Sequence, residues 1–86
     1  MILTIAPHPT KLGLVRICGE FSDNGPATRQ AEAAAARKLY KLLYSFDPRG
    51  WRRSSRSIRF DCVWDDDIPL LMMLNDIELQ GLEGLS

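Results

Sequence analysis

From Ala27 to Asp47 the chain contains neither glycine nor proline, and this stretch limits the fold more than any other feature. Alanine, leucine, arginine and lysine dominate it, residues that lose little on entering a helix. Ala31, Ala35, Leu39, Leu42 and Phe46 recur at three- and four-residue spacing, and Ala36, Tyr40 and Leu43 widen that apolar stripe. Gln30, Arg37, Lys41 and Ser45 fall on the opposite side. Asn24-Gly25-Pro26 supplies a capping region with proline at the first helical position. Asp47-Pro48 supplies the stop, because a residue before proline avoids the helical conformation. The spacing predicts one helix over 26–46, about 30 Å long at ~1.5 Å per residue.

In 86 residues such a helix leaves room for one small sheet and a single domain. Ser57 to Trp64 alternates, with Ile58, Phe60, Cys62 and Trp64 on one side and Arg59, Asp61 and Val63 on the other. Leu12 to Phe21 reads as a second strand, bulged or bent at Gly19. Ile2 to Ala6 reads as a third, ending at Pro7-His8-Pro9 and forming a hairpin with the next strand. Asp65-Asp66-Asp67 reads as a turn before a strand from Pro69 to Asn75. Residues 76–86 form a tail in which Leu79, Leu82 and Leu85 recur while Gly81 and Gly84 weaken a helix. The expected fold is α+β, ordered β-β-α-β-β: a four-stranded, largely antiparallel sheet with one long helix packed on one face. Leu39, Leu42, Phe46, Ile17, Phe60 and Trp64 are the expected core. The other sheet face would carry Leu12, Leu14, Val63 and Leu71 or Met73. If apolar, that uncovered face invites a second copy or another protein.

Charge divides the chain. Residues 29–59 hold nine arginines and lysines against two acids, whereas residues 60–86 hold seven acids and no base. The halves cancel to a net charge of zero. Segregation of this kind steers association and fixes orientation.

Most catalytic chemistry lacks its parts. The sole histidine is His8, between two prolines, and no serine sits in a G-x-S-x-G elbow. No phosphate-cradling glycine motif occurs. Cys18 and Cys62 stand apart, without a C-x-x-C pair, and both are expected as buried free thiols. Asp65–Asp67 could offer oxygen ligands to Mg²⁺, but successive carboxylates in a turn splay apart. No catalysis, no metal and no cofactor are expected. The apolar runs are too short to span a bilayer, and Met1–Ala6 lacks the basic and long apolar regions of a signal peptide. The expectation is a cytoplasmic chain without a membrane.

Two binding functions remain. The first is a protein-interaction module that occupies a surface on a larger protein or nucleoprotein complex. An inhibitor encoded by a phage or mobile element, such as an anti-CRISPR protein, is a concrete form of it. In that form Asp61, Asp65, Asp66, Asp67 and Asp76 would imitate nucleic-acid phosphates. The second is nucleic-acid binding through Arg49, Trp51, Arg52, Arg53 and Arg56, where guanidinium groups fork to phosphates and an indole stacks on a base.

Overall fold

The strand pattern around Ile17 and Phe60 resolves into a five-stranded mixed sheet with two helices, an α+β fold. The structure, a computed structural model, describes residues 2–20, 26–53 and 57–85. The elements in chain order are β1 (Ile2–Pro7), β2 (Leu14–Glu20), α1 (Pro26–Leu42), β3 (Arg49–Arg53), β4 (Ser57–Val63), α2 (Asp67–Leu74) and β5 (Glu78–Gln80). The sheet order is β3-β4-β2-β1-β5, antiparallel throughout except where β5 lies parallel to β1.

The expected four-stranded antiparallel sheet with one helix is therefore corrected in three places. Residues 69–75 are not a strand; they form most of α2. The loop expected at 47–56 contains β3, and the tail contains β5 followed by a 3-10 turn over Leu82–Leu85.

Local chemistry explains α2. The Asp65 carboxylate accepts the Asp67 N–H at 2.8 Å and so opens the helix. Pro69 lies in the first turn, where its missing N–H has no helical partner to lose. Leucine and methionine then favour the helix over a strand. Asn75 closes it by donating from Nδ2 to the Leu71 carbonyl at 2.8 Å, and Asp76 turns the chain with φ 58°.

α1 ends at Leu42, earlier than the expected Phe46, and tightens into a 3-10 turn over Tyr44–Phe46 before Asp47 takes φ 57°. Of its predicted features, Asn24-Gly25 and the side chain of Ala31 lie outside the described residues, as does Phe21 at the expected end of β2.

Both helices cover the same sheet face. Leu3 and Ile5 of β1, Val15 and Ile17 of β2, and Ile58, Phe60 and Cys62 of β4 point inward. They meet Leu39 and Leu43 of α1 and Ile68 and Met72 of α2 in one cluster. Each fully buried leucine, isoleucine or phenylalanine contributes about 1.5–3 kcal/mol of transfer free energy. Of the expected core, Leu39, Ile17 and Phe60 are fully buried, and Leu42, Phe46 and Trp64 pack against them half-buried.

Gly19 does not bend β2. It stays in register between Leu3 and Ile58, and a Cβ there would stand 2.7 Å from the Leu3 side chain. Cys18, expected on the inner side with Cys62, belongs to the other face and is only half-buried. Leu12 lies in the turn before β2 and is fully exposed. Leu14 and Val63 do lie on the uncovered face, but Leu71 and Met73 are on α2.

Candidate functional site

Side chains spaced three and four apart on α2 sort cleanly by exposure. Ile68 and Met72 are buried. Leu70, Met73 and Leu74 stand 49%, 66% and 70% exposed. Asp66 and Asp67, one turn before Leu70, are exposed on the same side, and Asp76 is exposed just past the C-terminus. The result is an outward apolar stripe with acids at both ends. These three apolar residues escape a strand reading, which splits the run Leu70–Leu74 between two faces. The usable signal is the uninterrupted apolar run itself, because a helix packed on a sheet can bury only one side of it.

The arginine segment becomes the edge strand β3. Arg49 lies opposite Asp61, Arg52 opposite Arg59 and Arg53 opposite Ile58, with an irregularity between Arg49 and Arg52. Gly50 permits it with φ 65°. The extra residue keeps Arg49 and Arg52 on the uncovered face, where strict alternation would separate them. Trp51 goes inward: its ring stacks on Phe60 with centroids 4.1 Å apart. Trp51, expected to meet a base or a partner, is half-buried and packs against the core. Arg49 forms an ion pair with Asp47. Arg52, Arg53 and Arg59 are exposed and form no ion pair among the described residues. Arg56 lies outside the described residues.

Asp61 is tied up on the uncovered face by β2 and the turn after β1. Arg16 donates from Nε to Asp61 Oδ1 at 3.0 Å. This hydrogen bond raises the Arg16 pKa above its ordinary value, with desolvation pulling the other way. His8 Nε2 lies 3.6 Å from Asp61 Oδ2. His8 Nδ1 accepts the backbone N–H groups of Thr10 and Lys11, both at 3.1 Å. Arg16 Nη2 lies 3.5 Å from His8 Nε2, so His8, Arg16 and Asp61 form one cluster. The Thr10 hydroxyl is 3.5 Å from Nδ1, yet the lone pair it would need is already taken. The cluster ties the turn after β1 to β2 and β4.

The five expected acids therefore separate. Asp61 is held by Arg16 and His8, Asp65 starts α2, and Asp66, Asp67 and Asp76 remain solvent-facing. The apolar groups of the uncovered face do not join into one patch: Leu14 and Val63 sit at one end and Ile2 at the other, with the Arg16 and Thr4 rows between. Among the described residues no group of three or more His, Cys, Asp or Glu could hold a metal ion, and no helix is long and apolar enough to cross a membrane. Comparison with family models, curated proteins and solved structures finds no match to this chain.

Proposed function

We propose that this chain is a non-catalytic protein-interaction module that docks on a larger protein through the outward side of α2. The observation that carries the reading is the exposure of Leu70, Met73 and Leu74 together on one helix. Isolated exposed leucines are ordinary, but an i, i+3, i+4 set on one short helix is the pattern by which a helix seats in an apolar groove. Asp66, Asp67 and Asp76 define the rest of the complement. The partner presents an apolar groove with basic groups at both ends. A second copy of the chain offers acid to acid across this surface, so a symmetric dimer through α2 is disfavoured.

Such a module works by occupation. An inhibitor of the anti-CRISPR kind is one form of it, and an adaptor is another; the docking chemistry is common to both. The nucleic-acid alternative is weaker because one face of Trp51, its stacking group, is already stacked on Phe60.

Site-specific photo-crosslinking in producing cells tests the reading. A photoreactive residue at Met73 should trap one discrete protein, and one at Ser45, exposed on the 3-10 turn after α1, should not. Asp66→Lys with Asp67→Lys should abolish the Met73 adduct. Identical adducts from both positions, or an adduct that survives the lysine pair, would remove the basis for the proposal.

A further inference from the structure

We propose that the arginine end of the uncovered sheet face is an oxyanion site selective for phosphate. This site is separate from α2, which packs on the opposite face of the sheet. Its basis is a like-charge pair that the fold does not require. Arg52 and Arg59 lie directly opposite each other on β3 and β4. Like charges in that relation destabilise a sheet, and neither side chain is buried or otherwise engaged among the described residues. Arg53 follows on the same edge strand, opposite the inward Ile58, and so borders the hollow from the strand edge and not from the uncovered face. Together with Ser57 these three arginines line a hollow of about 210 Å³. A water molecule takes about 30 Å³ of liquid, so the hollow admits a tetrahedral group with its first substituent.

The contrast with the other arginines nearby is informative. Arg16 and Arg49 each meet a carboxylate of the chain. Glu20, the acid of β2 that comes nearest along the ladder, faces Ser57 and is diagonal to Arg59, yet no ion pair joins it to Arg59 among the described residues. Among the described residues no carboxylate meets Arg52 or Arg59, and an anion from outside would supply the counter-charge. Arg52 and Arg59 present two guanidinium forks side by side on this face, and paired forks suit phosphate, with three or more acceptor oxygens, better than a carboxylate with two. The ladder also supplies a path for the rest of the ligand. Arg52, Arg59, Cys18, Thr4 and Gln80 lie in one row across all five strands. A second, larger hollow on this face, about 660 Å³, is lined by Thr4, Cys18 and Gln80 among others. The hydroxyl and the amide in that row offer hydrogen bonds to an ester substituent.

Calorimetric titration at low salt with three probes decides the matter: inorganic pyrophosphate, a thymidine decanucleotide and a glutamate decapeptide. The parent should bind at least one phosphate probe more tightly than the peptide. Arg52→Gln with Arg59→Gln should weaken that binding at least tenfold while melting at or above the parent temperature, since the like-charge pair is gone. Binding of the oligonucleotide alone places the phosphate in a polymer, and binding of pyrophosphate places it on a small molecule. The proposal is overturned if neither phosphate probe binds the parent, if the double variant binds equally well, or if the peptide binds most tightly. Leu70→Ser on α2 should leave the phosphate affinity unchanged, which separates this site from the docking surface.

Discussion

Trp51 lies stacked on Phe60, with ring centroids 4.1 Å apart and planes inclined by 17°. Tyr40 of α1 closes over the indole at 5.4 Å. An edge strand that is otherwise arginine and glycine is thereby fastened to both layers. The fastening leaves the indole Nε1 buried without a hydrogen-bond partner among the described residues. Aromatic area outweighs that cost: an orphaned buried donor costs about 1–3 kcal/mol, whereas truncating such a ring costs about 3–5 kcal/mol.

Two substitutions should separate those terms. Trp51→Phe keeps a ring on Phe60 and removes the orphan N–H, so its cost should stay below about 1.5 kcal/mol, as for other tolerated core swaps. Phe60→Ala removes the ring on which both layers meet and should cost about 3–5 kcal/mol. Urea unfolding followed by circular dichroism gives both values. Equal losses in the two variants would show that the stack does not fasten β3.

The elements that showed in the sequence are those with a period. Ile58, Phe60 and Cys62 alternate against Arg59 and Asp61, and the Leu39–Leu43 region repeats at helical spacing, so β4 and α1 were legible. Residues 70–74 are apolar at every position, which carries no period, and only Asp65 and Pro69 mark the start of a helix there. β3 turns Trp51 and Arg53 toward the covered face, and only one of them is apolar, so no hydrophobic alternation reveals it. Charge division was visible at once, but pairing was not. That Asp61 belongs to Arg16 follows from the register of β2 on β4, a long-range fact. The outward side of α2 could be seen only once the run was known to be a helix.

Gly81 should tolerate no side chain. Its φ is 94°, a left-handed conformation, and a Cβ there would run into the carbonyl of Ile5. The close approach lets the chain leave β5 and cross back over β1. Gly84, a turn later, has open space around it and no such backbone demand. Gly81→Ala should lower the melting temperature markedly, by strain plus a displaced β1 carbonyl. Gly84→Ala should be neutral or stabilising, by up to about 1 kcal/mol. Parallel thermal melts check the pair, and matched melting temperatures would contradict the close packing of β5 on β1.

Cys62 gives the alkaline behaviour a specific sign. Burial, with Asp61 adding to it, pushes its thiol up to about 11 from an ordinary value of 9.0. Between those values the unfolded chain releases the Cys62 proton and the folded chain keeps it. Stability from this group is complete below pH 9 and declines as pH rises toward 11. Cys62→Ala should flatten that decline when parent and variant are compared in urea from pH 8 to 10.5. Alkylation at pH 8 should modify half-buried Cys18 and spare Cys62 until the protein is unfolded.

The acids of β4 and α2 carry different duties, and substitution should tell them apart. Asp61 answers Arg16 and His8 on a partly buried face, so Asp61→Asn should lower the melting temperature by stranding Arg16. Asp65 serves through an oxygen that accepts the Asp67 N–H. Asn retains that acceptor and Ala does not, so Asp65→Ala should cost about 1 kcal/mol and Asp65→Asn much less. Asp66 is exposed, and Asp66→Asn should change stability by no more than about half a kcal/mol. If Asp66 belongs to a docking rim, the same Asp66→Asn variant should associate with its partner more slowly, with a weaker dependence on salt. Measured together, the series asks whether stability and association depend on different carboxylates. A single ranking, with the same acids dominating both, would mean that the acidic end of the chain serves the fold and not a partner.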